Sequence, residues 1–129
     1  MRIRHILASL AVATAGAVAP AAAAEGPFNQ AQLDKGKSEY NTHCRTCHAA
    51  NGKGALGPAL MGDDFKTKWG GKPISDLRSY TYEFMPQTAP KSLKDEQLDP
   101  IMAYILSLNG MTPGSKEFSK EAASAEFPK

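Results

Sequence analysis

The sequence predicts an all-α domain of three to five helices. Two segments, residues 33–40 and 98–108, place apolar side chains at helical spacing, and no segment shows the alternation of a half-exposed strand. A glycine-rich stretch, residues 49–72, lies between them and is longer than most connections in compact domains. Such a stretch is expected where the backbone wraps closely around a bound group.

The first two dozen residues are typical of a secretory signal peptide. Arg2 and Arg4 give a positive start, residues 6–18 form an uncharged apolar run, and small residues lead to Ala24. The run is shorter than the roughly 20 apolar residues of a membrane-spanning helix, which disfavours an uncleaved anchor. We therefore expect export, cleavage after Ala24 and no stable membrane span in the mature chain.

Length and charge exclude several classes of protein. Removing residues 1–24 from the 129-residue chain leaves 105 residues, enough for one small domain. The 15 basic and 13 acidic residues become balanced at 13 each, because the leader carries two arginines and no acid. A nucleic-acid binder would show a basic excess. A domain this small usually needs a disulfide or a bound group to stabilise its core. Its two cysteines are too close together in the sequence for a useful disulfide. We therefore expect a bound group to complete the core.

The first helix is expected to begin after Asn29, an N-cap with Gln32 as its reciprocal partner. It continues through Tyr40 up to the cysteines. Gly36 in its middle costs about 1 kcal/mol relative to alanine. A close contact with another helix would explain why glycine stands there.

A second helix is predicted over residues 75–83, ending at Met85-Pro86. Its inward side chains are expected to be Leu77, Tyr80, Thr81 and Phe84.

The last long helix is predicted to begin within residues 92–95 and to end at Asn109-Gly110. Pro100 lacks the donor that an interior helical residue needs, so either the helix starts later or its first turn is distorted. Residues 111–129 form a polar tail in which Phe118 and Phe127 suggest a short docked helix.

The segment from Cys44 to His48 has the Cys-x-x-Cys-His spacing of covalent haem attachment. Two thiols about one helical turn apart can reach the two vinyl groups of a porphyrin, and the adjacent imidazole can bind the iron. A thioredoxin-like pair would need a βαβ context, and a structural zinc site would need four ligands. Neither context is present in the sequence, so one covalent haem c is the favoured interpretation over these and over a chance match.

The mature chain resembles the small class I cytochromes c of bacteria over nearly its whole length. The matching residues are Gly36, Tyr40, Cys44 to His48, Gly57-Pro58-Ala59-Leu60, Met85-Pro86 and Ala103 to Leu106. The resemblance implies a small cytochrome c fold wrapped around the haem, with a domain at 25–110 followed by a tail at 111–129. It also implies that the Pro58 carbonyl contacts His48, that Leu60 packs on the haem face, and that the first and last helices cross closely at Gly36.

The sixth iron ligand has five candidates in the mature chain: Met61, Met85, Met102, Met111 and His43. Met85 ends a helix and lies 37 positions after His48, far enough along the chain to circle the haem edge. Met102 belongs to an apolar stripe, and Met61 follows Pro58 too closely to reach the opposite face. The family's Met-Pro ligand motif adds weight to Met85.

His48 and Met85 together would fill both axial positions of the iron and raise its reduction potential relative to two histidines. The chain is then expected to be a periplasmic one-electron carrier that makes and breaks no substrate bond and has no catalytic residue. A peroxidase or gas sensor with a displaceable sixth ligand is the alternative, and a haem-free thiol oxidoreductase is a minor one.

Partners are expected to be redox proteins. The segment from Trp69 to Gly110 is similar to cytochromes associated with periplasmic quinoprotein or molybdenum dehydrogenases, although many of those have glycine where this chain has Lys91. Trp69 could pack beside the haem, hydrogen-bond a propionate or pack in the core. Arg78 could pair with a propionate, although a solvated helix face is favoured for this residue. Six lysines could surround the haem as a docking ring or be scattered solubilising charge: Lys53, Lys66, Lys68, Lys72, Lys91 and Lys94.

Overall fold

The computed structural model describes residues 16–17 and 23–129, so most of the predicted signal peptide lies outside the described residues. The helices are α1 (Gln30–His43), α2 (Arg45–His48), α3 (Asp63–Trp69), α4 (Ile74–Phe84) and α5 (Asp95–Leu108), followed by a 3-10 turn at Glu121–Ser124. Extended pairing within the described ranges is limited to two isolated bridges, Glu25 with Thr112 and Pro73 with Glu126. The predicted all-α fold class is confirmed. None of the helices within residues 23–129 is both long and apolar enough to cross a membrane.

Helix α1 begins as predicted, at the Asn29 cap. The Asn29 side chain accepts a hydrogen bond from the Gln32 backbone N–H at 2.9 Å. The reciprocal half of the prediction is wrong, because the Gln32 side chain points away from the cap. Its amide donates to the Phe118 carbonyl at 2.8 Å and accepts from the Phe118 N–H at 2.7 Å. A residue expected to cap a helix therefore anchors the C-terminal tail.

Helices α1 and α5 cross at Gly36, as the family resemblance implied. A Cβ atom at this position would overlap the backbone carbonyl of Pro100 and approach the Tyr104 Cβ to 3.3 Å. Helix α5 begins at Asp95 and includes Pro100, so the later start considered for this helix is wrong. The helix stops at Asn109 and Gly110, where Gly110 has a φ of 96°.

The glycine-rich stretch is not structureless, because helix α3 forms within it. Asp63 and Asp64 lie in its first turn, where their charges favour the positive end of the helix. Phe65 and Trp69, four residues apart, are buried on its inner face. A seven-residue helix with two buried side chains is too short to give a clear helical periodicity in the sequence.

Helix α4 is one residue longer at each end than predicted and is rotated relative to the expected inner face. Its buried residues are Ile74, Leu77, Arg78 and Thr81. Tyr80 and Phe84, expected inside, are 37% and 54% exposed. The solvated position favoured for Arg78 is also wrong, since this residue is 6% exposed.

The C-terminal tail closes one side of the same core. Phe118 and Phe127 are buried, and the Phe127 ring lies 5.5 Å from that of Phe65. The Phe127 N–H donates to the Lys72 carbonyl at 2.8 Å, and the Gly71 N–H donates to the Phe127 carbonyl at 3.0 Å. The tail thereby fixes the connection between α3 and α4.

Candidate functional site

Cys47 and His48 lie in the single turn of α2, and Cys44 is its N-cap. Cys44 caps α1, its N–H donating to the Tyr40 carbonyl at 2.8 Å, and its own carbonyl accepts from the His48 N–H at 2.9 Å. The two cysteines form no disulfide with each other; Cys44 is buried and Cys47 is exposed. Burial, followed by the neighbouring Cys47, raises the pKa of the Cys44 thiol to about 12. Cys44 is therefore protonated at neutral pH when it is not attached to another group.

The His48 ring is oriented by the loop that follows it. Its Nδ1 lies 2.7 Å from the carbonyl oxygen of Pro58. A carbonyl can only accept, so the proton resides on Nδ1 and Nε2 keeps its lone pair for a metal. The Gly57 backbone supports this arrangement, because its N–H donates to the Cys47 carbonyl at 2.7 Å. A Cβ at Gly57 would lie 2.9 Å from His48 Cε1, so the close approach requires glycine.

Two tyrosines hold the chain immediately after His48. The Tyr40 hydroxyl donates to the Ala49 carbonyl and the Tyr104 hydroxyl to the Ala50 carbonyl, each at 2.9 Å. Their rings meet edge to face, with centroids 4.9 Å apart. Burial raises the pKa of Tyr40 above its ordinary value, so the hydroxyl remains a donor. No role for these hydroxyls follows from the sequence alone; the positions of Tyr40 and Tyr104 on the two crossing helices are the available clue.

Leu60, half-buried against the core, is fixed by its backbone. Its N–H donates to the Gly52 carbonyl at 2.7 Å, and its carbonyl accepts from the Asn109 side chain at 2.9 Å. The same Asn109 amide also donates to the Ile105 carbonyl at 2.9 Å. Asn109, expected only to stop a helix, thus connects α5 to the loop that carries Pro58 and Leu60.

Met85 lies at the C-terminal end of α4, where its N–H donates to the Thr81 carbonyl at 2.9 Å. The loop that follows returns to the helix, because the Lys91 N–H donates to the Tyr82 carbonyl at 3.0 Å. Lys91 has a φ of 62°, a conformation that favours glycine. Met85 itself is half-buried.

The other four ligand candidates occupy different surroundings. Met102 is completely buried in α5, while Met61 and Met111 are half-buried. His43 Nε2 lies 3.4 Å from Glu39 Oε2 and 3.2 Å from Gln97 Nε2.

The buried Arg78 side chain forms two bonds from α4 to α5, one to the largely buried Asp99 and one to the exposed Asp95. Its Nε donates to Asp99 Oδ1 at 2.6 Å and its Nη2 to Asp95 Oδ1 at 2.8 Å. Lys120, at the start of the 3-10 turn, lies 3.4 Å from the other oxygen of Asp95. Hydrogen bonding from Arg78 lowers the pKa of Asp95, whereas burial raises that of Asp99.

Trp69 packs among aromatic rings and lysines. Its ring is 5.4 Å from that of Tyr80, and the ammonium groups of Lys68 and Lys72 lie 5.2 and 5.5 Å from its centre. Of the remaining lysines in the expected docking ring, Lys91 pairs with Glu83 at 2.9 Å. Lys53, Lys66 and Lys94 are exposed or half-buried.

These residues fit a covalently attached haem. Two cysteines that form no disulfide lie one turn apart beside an imidazole whose Nε2 is available for iron. The apolar side chains of Leu56 and Phe84, which are near Pro58 and Met85 in the sequence, are exposed. Across residues 16–17 and 23–129, no group of three or more His, Cys, Asp or Glu side chains is placed to hold a metal ion. That part of the chain therefore does not offer the ligand set of a structural zinc site.

Comparisons with known proteins agree with this chemistry. Residues 31–105 match the family model described as cytochrome C oxidase, cbb3-type, subunit III. The cbb3-type cytochrome c oxidase subunit CcoP of Azospirillum sp. (strain B510) is 28% identical over 100 residues, which cover 66% of this chain and 33% of the relative. The chain thus spans about a third of the length of that protein.

The fold also has a match among solved structures. The sulfane dehydrogenase SoxCD from Paracoccus pantotrophus is similar with a TM-score of 0.60 and 22% identity, over 82% of this chain and 61% of the matched chain. At this identity the likeness shows the cytochrome c fold.

Proposed function

Since the chain belongs to the cytochrome c family described as cytochrome C oxidase, cbb3-type, subunit III, we propose that it is a periplasmic one-electron carrier with iron held between His48 and Met85. Membership of the family means that the chain carries covalently bound haem c and transfers electrons. The axial ligands, the compartment and the partners are the proposal. Haem supplies the exchange of a single electron; the protein attaches it, orients its ligands and limits access to the iron.

One observation carries the proposal: the 2.7 Å contact between His48 Nδ1 and the Pro58 carbonyl. It fixes the tautomer and the ring angle of a histidine that directly follows Cys44 and Cys47. The two thiols would form thioethers with the haem, and His48 would bind the iron through Nε2. Leu60, tied to Gly52 and Asn109, would pack on the haem face.

Met85 is the proposed second ligand because of where α4 places it. It follows the buried Thr81 by four residues, one turn further along the inner face of the helix. A thioether ligand raises the reduction potential relative to two histidines. His48 and Met85 would hold the iron from the protein, so that electron transfer would need little rearrangement and added ligands would have little access to the iron.

The partners are proposed to be redox proteins. CcoP is a subunit of a cytochrome c oxidase and SoxCD is a sulfane dehydrogenase. The similarity over Trp69 to Gly110 favours a periplasmic dehydrogenase as the electron donor, either a quinoprotein or a molybdenum enzyme. Export by a signal peptide cleaved after Ala24 would bring the chain to that compartment.

The test is a titration of the exported holoprotein followed by addition of carbon monoxide. We expect one reversible one-electron transition, and a ferrous spectrum that carbon monoxide leaves unchanged. A ferrous spectrum that shifts promptly with carbon monoxide would instead support a peroxidase or gas sensor with a displaceable ligand. Hydrogen peroxide turnover measured on the same sample would separate those two activities.

A further inference from the structure

Arg78 is a charged residue at a position where the rest of the helix face is apolar or hydroxyl-bearing. Its side chain is 8% exposed, and that of its partner Asp99 is 13% exposed. The two hydrogen bonds of Arg78, to Asp99 at 2.6 Å and Asp95 at 2.8 Å, both connect α4 to the first two turns of α5. Asp95 in turn meets Lys120, so one guanidinium group links α4, α5 and the tail.

The direction of these bonds matters more than their strength. Apolar contacts from Ile74 and Leu77 would tolerate a small rotation of α4, since burial of apolar surface is non-directional. The planar guanidinium of Arg78 bonds the Asp99 carboxylate, 13% exposed, and the Asp95 carboxylate, 54% exposed, at the same time. It can reach both only over a narrow range of helix rotation and height. A buried ion pair is weak evidence for stability, and its better-supported role is to select one arrangement among several.

Met85 is the residue most sensitive to such a rotation. It lies seven positions after Arg78, two helical turns along the same face, so any rotation at Arg78 is passed to Met85. The Met85 N–H is bonded to the Thr81 carbonyl at 2.9 Å, which makes this last turn part of the same rigid unit.

We propose that Arg78 is a positioning residue for Met85, its bonds to Asp99 and Asp95 fixing the rotation of α4 that directs the methionine sulfur to the iron. This inference rests on the proposed ligation by Met85. The ion pairs of Arg78 would thereby help to keep added ligands from binding the iron. This role is separate from any contribution to the stability of the fold.

The experiment uses the holoprotein with the double substitution Arg78→Met and Asp99→Leu. Replacing a buried ion pair with apolar residues of similar volume is often neutral for stability. We expect the denaturation midpoint to stay near that of the wild type, while the affinity of ferric iron for imidazole rises about tenfold. The reduction potential should fall in parallel. Lys37→Met, which removes an exposed charge on α1, is the control and should leave both properties unchanged.

A double variant with wild-type stability, imidazole affinity and potential would overturn the proposal. Should that variant not fold, Arg78→Lys serves instead, because lysine keeps the charge and lacks the planar fork. An increase of about threefold in imidazole affinity supports the proposal, and an unchanged affinity overturns it. A wild-type protein lacking the far-red band of a sulfur-to-iron bond would refute ligation by Met85 itself, which is a distinct outcome.

Discussion

The two sides of the haem site are built in different ways. The His48 side, residues 44–60, is fixed by backbone bonds between near neighbours, such as Gly54 N–H to the His48 carbonyl at 3.0 Å and Leu60 N–H to the Gly52 carbonyl at 2.7 Å. The Met85 side, α4 with residues 85–94, has a backbone bond to the tail at its start, from the Ile74 N–H to the Ala125 carbonyl at 2.8 Å. Further along, α4 is held to α5 through side chains, above all Arg78.

The difference predicts which of the two proposed iron ligands, His48 or Met85, is the weaker one. The turns around Cys44 and His48 can lose single contacts without releasing the imidazole, which would also be tethered by two thioethers. The Met85 sulfur has no such tether, and its position depends on the orientation of one helix. Displacement of a ligand should therefore occur on the Met85 side, and substitutions on the His48 side should act mainly on stability.

The largest expected effect comes from Gly36→Ala, at the crossing of α1 and α5 next to the His48 side. The added Cβ would overlap the Pro100 carbonyl, and separating α1 from α5 should destabilise the holoprotein by about 3 kcal/mol, more than the helical preference of alanine restores. Chemical denaturation followed by circular dichroism measures this. Lys37→Ala, at the exposed neighbouring position, is the control. A Gly36→Ala protein as stable as the control would contradict the close crossing.

The paired tyrosines should give a smaller and graded effect. Tyr40→Phe leaves the half-buried Ala49 carbonyl without its donor and should cost roughly 1–2 kcal/mol. Tyr104→Phe should cost less, because the Ala50 carbonyl belongs to an exposed residue that water can reach. Denaturation curves test the order, and amide exchange at Gly54 tests whether the His48 side loosens locally. The reverse order of stabilities would contradict this account of the hydrogen bonds.

The smallest effect is expected for Lys91→Gln on the Met85 side. The hydrogen bond to Glu83 raises the pKa of Lys91, so the stabilisation by this pair is complete below the ordinary pKa of lysine and is lost as pH rises through the raised value. Lys91→Gln should lower the melting temperature slightly at neutral pH and low salt, with the difference disappearing at high salt. Lys53→Gln controls for net charge. A difference that persists at high salt would argue against the ion pair as its cause.

Contiguous patterns in the sequence located the short helix around Cys47 and the helix crossing at Gly36, whereas tertiary contacts limited the prediction elsewhere. The Cys-x-x-Cys-His spacing is a local feature, and the structure places it in one helical turn. The glycine in α1 is also local, and the structure places it at a helix crossing. Arg78 was misplaced because its burial depends on Asp95 and Asp99, 17 and 21 residues away. Gln32 was misread for the same reason, since its partner Phe118 is 86 residues distant.

Lys91 shows how the structure explains a departure from related sequences. Its φ of 62° is the conformation that glycine adopts most easily, which accounts for glycine at the equivalent position of many similar cytochromes. Lysine accepts this strained backbone and adds the pair with Glu83. The sequence showed that lysine replaces glycine at position 91, but the φ angle was needed to explain why glycine is favoured there.

The far-red optical spectrum of the ferric holoprotein tests the central claim most directly, compared among the wild type, Met85→Ala and Met61→Ala. The account predicts a sulfur-to-iron band in the wild type and in Met61→Ala. In Met85→Ala the band should be absent, the reduction potential lower and the iron open to added imidazole. A Met85→Ala protein that keeps the band and the wild-type potential would contradict ligation of the iron by Met85.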